Sequence, residues 1–209
     1  FSDKRVKYYD TSAEYITSAL DNSLQEMQIE HVDLLLVHRP DPFMDHQETG
    51  AALDALVASG KIGSIGVSNF KAHDWNLLQS AMKNKLVTNQ IEISPLEISA
   101  FSNGDIAFLQ QEGIKPMAWS PLGGGALFDA SNEKGARVNA VLSRIAKQYN
   151  VGLDAVAFAW LLKHPSSILP VVGTNNLSRI KSLSDTLKVE MDRETWFEIY
   201  TASLGHEVA

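Results

Sequence analysis

The sequence predicts an α/β fold built on a parallel sheet. Three observations carry this reading. Short apolar runs alternate with longer amphipathic stretches along the whole chain, the apolar runs are nearly continuous, and the connections between them are short. A strand covered on both faces has no side that meets water, so its residues need not alternate between apolar and polar.

Each element has its own signal. Thr11-Ser12-Ala13-Glu14 reads as a capping box, and Ile16, Leu20, Leu24 and Met27 follow near helical spacing, which predicts a helix over about 11–28. Val32 to Val37 is an apolar run and predicts a strand buried on both faces. Asp45 to Glu48 opens a second helix with Leu53, Leu56 and Val57 inward and Gly60 as its left-handed stop. Ile62 to Val67 is a strand, Lys71 to Met82 a helix, and Leu86 to Ile93 a strand. A short helix over 104–112 ends at Gly113, and a strand follows at Lys115 to Trp119. Helices near 136–149 and 153–163 precede the last strand, Ile168 to Val172, with further helices near 176–187 and 192–203. Five such strands suit an open doubly wound sheet or part of a closed barrel, and periodicity does not choose between them.

At 209 residues the chain suits one domain, 1–209, with a substantial core, and 44% apolar with 21% charged residues is ordinary for a globular protein. No run approaches the roughly 20 apolar residues that span a bilayer. The opening Phe1-Ser2-Asp3-Lys4-Arg5 lacks the pattern of a signal peptide, and the missing initial Met suggests absent upstream sequence. Without Cys there are no disulfides, thiolate metal sites or Cys nucleophiles, which fits a cytoplasmic setting. A formal charge of −7 and the lack of a basic stripe argue against nucleic acid as a partner. His31, His46, His73, His164 and His206 show no metal-ligand spacing, and His164 before Pro165 reads as a helix terminus.

In either architecture ligands gather at the C-terminal ends of the strands. The first strand ends at His38, an imidazole able to donate to a substrate oxygen or simply to be satisfied by nearby backbone. The second ends at Ser68-Asn69, a pair that could hydrogen-bond a planar amide or cap the next helix. Gln90 sits in an apolar strand, where a buried amide needs a partner, either structural or bound. Trp119-Ser120-Pro121-Leu122-Gly123-Gly124-Gly125 combines a flat stacking face with glycines that let a diphosphate approach the backbone. Thr174, Asn175 and Arg179 form a polar loop and first turn with the makings of an anion site, although Thr174 or Asn175 would serve equally as N-cap.

In order, Leu34 to Asp41, Gly66-Val67-Ser68-Asn69-Phe70, Asn89 to Pro95, Ala118 to Gly125 and Pro170 to Thr174 resemble the aldo-keto reductases, and the resemblance spans the chain. It is nearest to bacterial members of unassigned substrate that end much like Trp196-Phe197-Glu198-Ile199 and Gly205-His206-Glu207-Val208. The resemblance implies a TIM (β/α)8 barrel of which this chain supplies strands 4–8. It implies that Ser68, Asn69 and Gln90 hold the nicotinamide carboxamide and that Trp119 stacks on its ring. Ser120, Leu122 and Gly124 would line the diphosphate; Thr174, Asn175 and Arg179 would hold the adenosine ribose and its 2′-phosphate. His38 matches the active-site His that orients the substrate carbonyl. The implied reaction is NADP(H)-dependent reduction of aldehydes or ketones, with NAD(H) still open because Gly173 stands where many relatives place a Lys.

The resemblance also carries a departure. The family's Tyr, Lys and Asp belong to the first three βα units, ahead of every matching segment, and Tyr8 and Tyr9 do not fit the Tyr motif. The chain is therefore expected to be a truncated product or part of a longer one, short of an acid worth roughly 10²–10⁴ in rate. It would leave two strand edges open to association. The rival from another class is a regulatory protein that binds the nicotinamide cofactor without turnover. An open doubly wound domain for another phosphorylated ligand would want a Gly-rich turn after the first strand, where this chain has His38-Arg39-Pro40-Asp41.

Overall fold

The computed structural model of the chain describes residues 5–209; Phe1 to Lys4, the start of the segment that lacks a signal-peptide pattern, lie outside the described residues. The described residues hold five strands and eight α-helices, and strand order in the sheet follows chain order. By packing, the chain divides into two compact units, one ending at Asn89 and one beginning at Gln90.

In the first unit, α1 (Ala13–Met27) starts one residue later than the capping box predicts. Ser12 is the cap, its hydroxyl accepting the Tyr15 N–H at 3.3 Å and donating to Asp10 at 2.6 Å. Thr11 is drawn away by tertiary contacts: its hydroxyl donates to Asp41 at 3.0 Å and its carbonyl accepts from the Thr49 hydroxyl at 2.8 Å. Leu20 and Leu24 are buried as expected, but Met27 is exposed because the helix turns off at the left-handed Gln28 just beyond it.

β1 (Val32–Val37) pairs in parallel with β2 (Ile62–Ser68), Leu35 opposite Ile65 and Val37 opposite Val67. The prediction that β1 is buried on both faces fails: only Val37 is buried and Asp33 is exposed, because β1 stands at the end of the sheet order. β2 is the covered strand, with Ile65 to Ser68 all buried. A Cβ on Gly66 would come within 2.6 Å of Leu36 and 2.8 Å of Thr88, so only glycine lets these strands lie this close. α2 (His46–Ala58) is capped by Asp45, which accepts the N–H groups of Gln47 and Glu48, and it is followed by Gly60 at φ +78°. α3 (Ala72–Ser80) packs against α2, where a Cβ on Gly50 would stand 2.9 Å from the Ala81 carbonyl.

β3 (Leu86–Glu92) carries the chain into the second unit, where β4 (Met117–Trp119) pairs in parallel with it and with β5 (Leu169–Pro170). Both β4 and β5 are shorter than predicted. Pro116 and Pro170 have no N–H to give the ladder, although Leu169 and Val171 still donate to Pro116 and Ala118 at 2.9 Å. α4 (Asp105–Gln111) is followed by Gly113 at φ +70°. α5 (Glu133–Tyr149) starts three residues before the predicted 136, where Asn132 caps it by accepting the Gly135 N–H at 2.8 Å.

In α6 (Leu153–Lys163) every residue from Ala155 to Leu161 is buried, and His164 is its C-cap. The predicted helix over 176–187 is two pieces, α7 (Leu177–Ser182) and a 3-10 helix over Leu183–Lys188. α8 (Arg193–Leu204) ends at Gly205, φ +90°. It locks onto α6 through two reciprocal bonds: the Trp160 indole N–H donates to the Trp196 carbonyl at 3.0 Å, and Trp196 to the Trp160 carbonyl at 3.1 Å. No helix among the described residues is long and apolar enough to cross a membrane.

Candidate functional site at the strand ends

His38, Ser68, Asn69, Trp119 and Ser120 fall at or just past the C-terminal ends of their strands, the ligand-bearing end of a parallel α/β sheet, whereas Gln90 lies within β3 and Arg179 within α7. In the first unit, exposed His38 follows the last residue of β1. Ser68 is buried as the last residue of β2, and Asn69 follows it at φ +60°. Asn is among the few side chains that tolerate the left-handed region, because its short amide can hydrogen-bond locally. Here the Asn69 amide donates to the Ser68 hydroxyl at 2.8 Å. The two side chains thus form one polar unit at the strand tip, not a helix cap. The cap region of α3 is served instead by Asp74, which accepts the Lys71 N–H at 3.0 Å.

One residue that sequence reasoning passed over supports this tip. Asn89, almost wholly buried in β3, donates its amide to the Phe70 carbonyl at 2.7 Å. The signal lies in Asn89-Gln90 inside an apolar run, where two neighbouring amides each need a partner.

In the second unit, Gln90 is half-buried opposite Met117, and Trp119 is half-buried opposite Glu92. Ser120 has φ +47°, and Gly123, Gly124 and Gly125 all have positive φ, so the backbone after Trp119 coils through a left-handed stretch that glycines permit. The Gly123 N–H donates to the Ser120 carbonyl at 2.7 Å, which closes the turn. Cβ atoms on Gly124 or Gly125 would meet nothing within 4 Å, so these glycines answer to backbone conformation and leave their outer side open to a ligand.

Past β5, the cap of α7 is neither Thr174 nor Asn175. Asn176 takes it, its carbonyl oxygen accepting from the N–H groups of Ser178 and Arg179 at 2.9 and 3.2 Å, while the Thr174 hydroxyl accepts the Asn176 N–H at 3.2 Å. Two of the backbone donors that the sequence reading left for an anion are therefore occupied. Arg179 remains exposed, with the half-buried Thr174 and exposed Asn175 preceding it.

The family pattern of the aldo/keto reductases matches residues 3–203. The chain belongs to the aldo/keto reductase family. It is similar to a 6-dehydroglucose reductase of Agrobacterium fabrum, 58% identical over 208 residues that cover 100% of this chain and 69% of that protein. A 6-dehydroglucose reductase of Novosphingobium aromaticivorans is 37% identical over 96% of this chain and 66% of its own length. Oxidoreductase YdhF of Escherichia coli is 39% identical over 97% of this chain and 68% of its own length. The chain thus spans about two thirds of these relatives. Its fold matches the crystal structure of the thermostable aldo-keto reductase Tm1743 with a TM-score of 0.81 at 22% identity, covering 92% of this chain and 67% of that one. The five parallel strands are accordingly those of a partial TIM barrel. Members of this oxidoreductase family act on carbonyl compounds with nicotinamide cofactors.

Proposed function

We propose that this chain carries the cofactor-holding part of an NADP(H)-dependent reductase that converts an aldehyde or ketone to an alcohol. The observation that carries the reading is the Ser68–Asn69 pair at the tip of β2, where a left-handed Asn is bonded to a buried Ser. Such a pair offers fixed polar groups to a planar amide, as a nicotinamide carboxamide requires. Gln90 adds a second amide, and Trp119 the flat face against which the ring would lie. Ser120, Leu122 and the open side of Gly124 suit a diphosphate. Thr174, Asn175 and Arg179 suit the adenosine end, with Arg179 the cation for a 2′-phosphate.

The cofactor, when bound, supplies the hydride. His38 holds the carbonyl oxygen in place, and the proton comes from the family's Tyr, whose motif neither Tyr8 nor Tyr9 fits. The similarity to 6-dehydroglucose reductases makes 6-dehydroglucose the carbonyl compound to try first.

The test is a fluorescence titration of the purified protein with NADPH and with NADH, beside the Asn69→Ala and Arg179→Gln variants. We expect saturable NADPH binding. It should weaken about tenfold in Arg179→Gln, as for loss of a hydrogen bond to a charged group, while NADH binding changes little. Absence of saturable binding by either nucleotide would sink the reading. A longer protein whose added sequence lacked an Asp, Tyr and Lys at the family's spacing, and which bound the nucleotide without turnover, would favour the regulatory, non-catalytic alternative.

A further inference from the structure

An open pocket of about 610 Å³ lies within the second unit, walled by α4, the end of α6 and α8. Its volume falls within the roughly 300–1,000 Å³ range of small-molecule sites. Phe101, Trp196, Phe197 and Tyr200 give its walls an aromatic part. Phe101 stands edge-on to Trp196 and Tyr200, with ring centroids 5.6 and 6.2 Å apart. Trp196 is stacked on Trp160 and on Tyr200, so the ring surface left facing the pocket belongs largely to Phe101, Tyr200 and the exposed Phe197. Concave aromatic surface on a monomer generally marks a contact with something.

The polar lining is equally specific. Lys163 and Arg193 line the pocket and no carboxylate does among the described residues, although Asp192 at the cap of α8 lies within electrostatic reach of Lys163. His164 also lines the pocket, its Nδ1 lying 2.7 Å from the Ser166 hydroxyl and accepting the Ser166 N–H at 3.2 Å. Burial holds this imidazole below its ordinary pKa, which favours the neutral ring. Aromatic rings lined with two cations complement a flat apolar body bearing a negative charge.

We propose that this pocket is a ligand site for a planar aromatic carboxylate, with Phe101, Phe197 and Tyr200 taking the ring and Lys163 and Arg193 the carboxylate. The site is carried by the outer helices and uses none of the strand-end residues.

The probe is 2-naphthoate, followed through the fluorescence of the protein with and without saturating NADPH, and compared with the neutral 2-naphthamide. The expected result is saturable naphthoate binding that NADPH leaves unchanged. Naphthamide should bind at least fivefold more weakly, and Lys163→Glu/Arg193→Glu should weaken naphthoate at least tenfold. Both substituted positions are exposed, and retention of the wild-type thermal midpoint checks the fold. No saturable binding, equal affinity for naphthamide, displacement by NADPH, or undiminished binding to the double variant would each overturn the proposal. So would naphthoate affinity that falls as protein concentration rises, since a second copy would then be the occupant.

Discussion

Asn89 donates its side-chain amide to the Phe70 carbonyl across 2.7 Å, from a position almost wholly removed from solvent. The bond ties β3 to the residue that follows the Ser68–Asn69 pair, while the side-chain oxygen of Asn89 has no hydrogen-bond partner among the described residues. Asn89→Ala would leave the Phe70 carbonyl unpaired, a loss of about 1–3 kcal/mol for a group cut off from water. Urea unfolding should record that loss, and the NADPH titration should show weaker binding than wild type. Unchanged stability would mean that water reaches Phe70.

Asn69 separates conformation from chemistry. Its backbone sits at φ +60°, where Ala is strained by roughly 1–2 kcal/mol and Gly is not. Both variants lose the bond to Ser68, but Asn69→Ala should lower the thermal midpoint further than Asn69→Gly. Both should weaken NADPH binding if the amide itself holds the cofactor. Full affinity in Asn69→Gly would show that only the turn matters.

Much of this architecture was legible in the sequence because burial writes itself into composition. The apolar runs at Ile62 to Val67 and Leu86 to Ile93 sit where strands lie, and Gly60 and Gly113 stop the chain segments they were expected to stop. What misled was competition for polar groups. Thr11 has the side chain of a cap, but Asp41 claims its hydroxyl and Thr49 its backbone carbonyl, and those partners are 30 and 38 residues away in sequence. At α7 three neighbouring residues could each have capped the helix, and Asn176 took the role. The strand-end residues were found by their place after apolar runs. The support from Asn89 was not, because a side-chain bond to a backbone carbonyl 19 residues away leaves no pattern in the sequence.

Asp54 gives the first unit an acid-sensitive tie. Burial works to raise its pKa, but it accepts from the N–H groups of Lys83 and Asn84 at 2.7 and 3.0 Å and from the Asn84 amide at 2.8 Å, and these bonds with the nearby Lys83 charge hold it below the usual carboxylate value. A depressed folded pKa means stabilisation that is fully present above the unfolded value near 3.8 and lost as pH falls through the folded one. Asp54→Asn should cost about 1–2 kcal/mol at neutral pH. Its stability should also fall less steeply than that of wild type below pH 4, as thermal midpoints across that range would show.

His164 acts in a different window. Burial lowers its pKa from the ordinary 6.5, so the unfolded chain binds its proton first as pH drops. Its contribution is therefore destabilising below pH 6.5 and grows until the folded value is reached. His164→Gln should flatten the decline in stability between pH 6.5 and 5, measured against wild type in urea. An unchanged slope would mean that the imidazole protonates as freely in the folded protein as in the unfolded chain.

The reciprocal pairing of Trp160 and Trp196 has an optical consequence. Two indoles 5.1 Å apart and inclined by only 13° are close enough for their electronic transitions to couple. Circular dichroism in the ultraviolet should then carry a paired positive and negative band that neither chromophore produces alone. Because one indole rides on α6 and the other on α8, that signal reports their docking directly. Trp196→Phe would erase it and leave the spectrum of an uncoupled indole, so the protein carries its own gauge of whether these helices are in place.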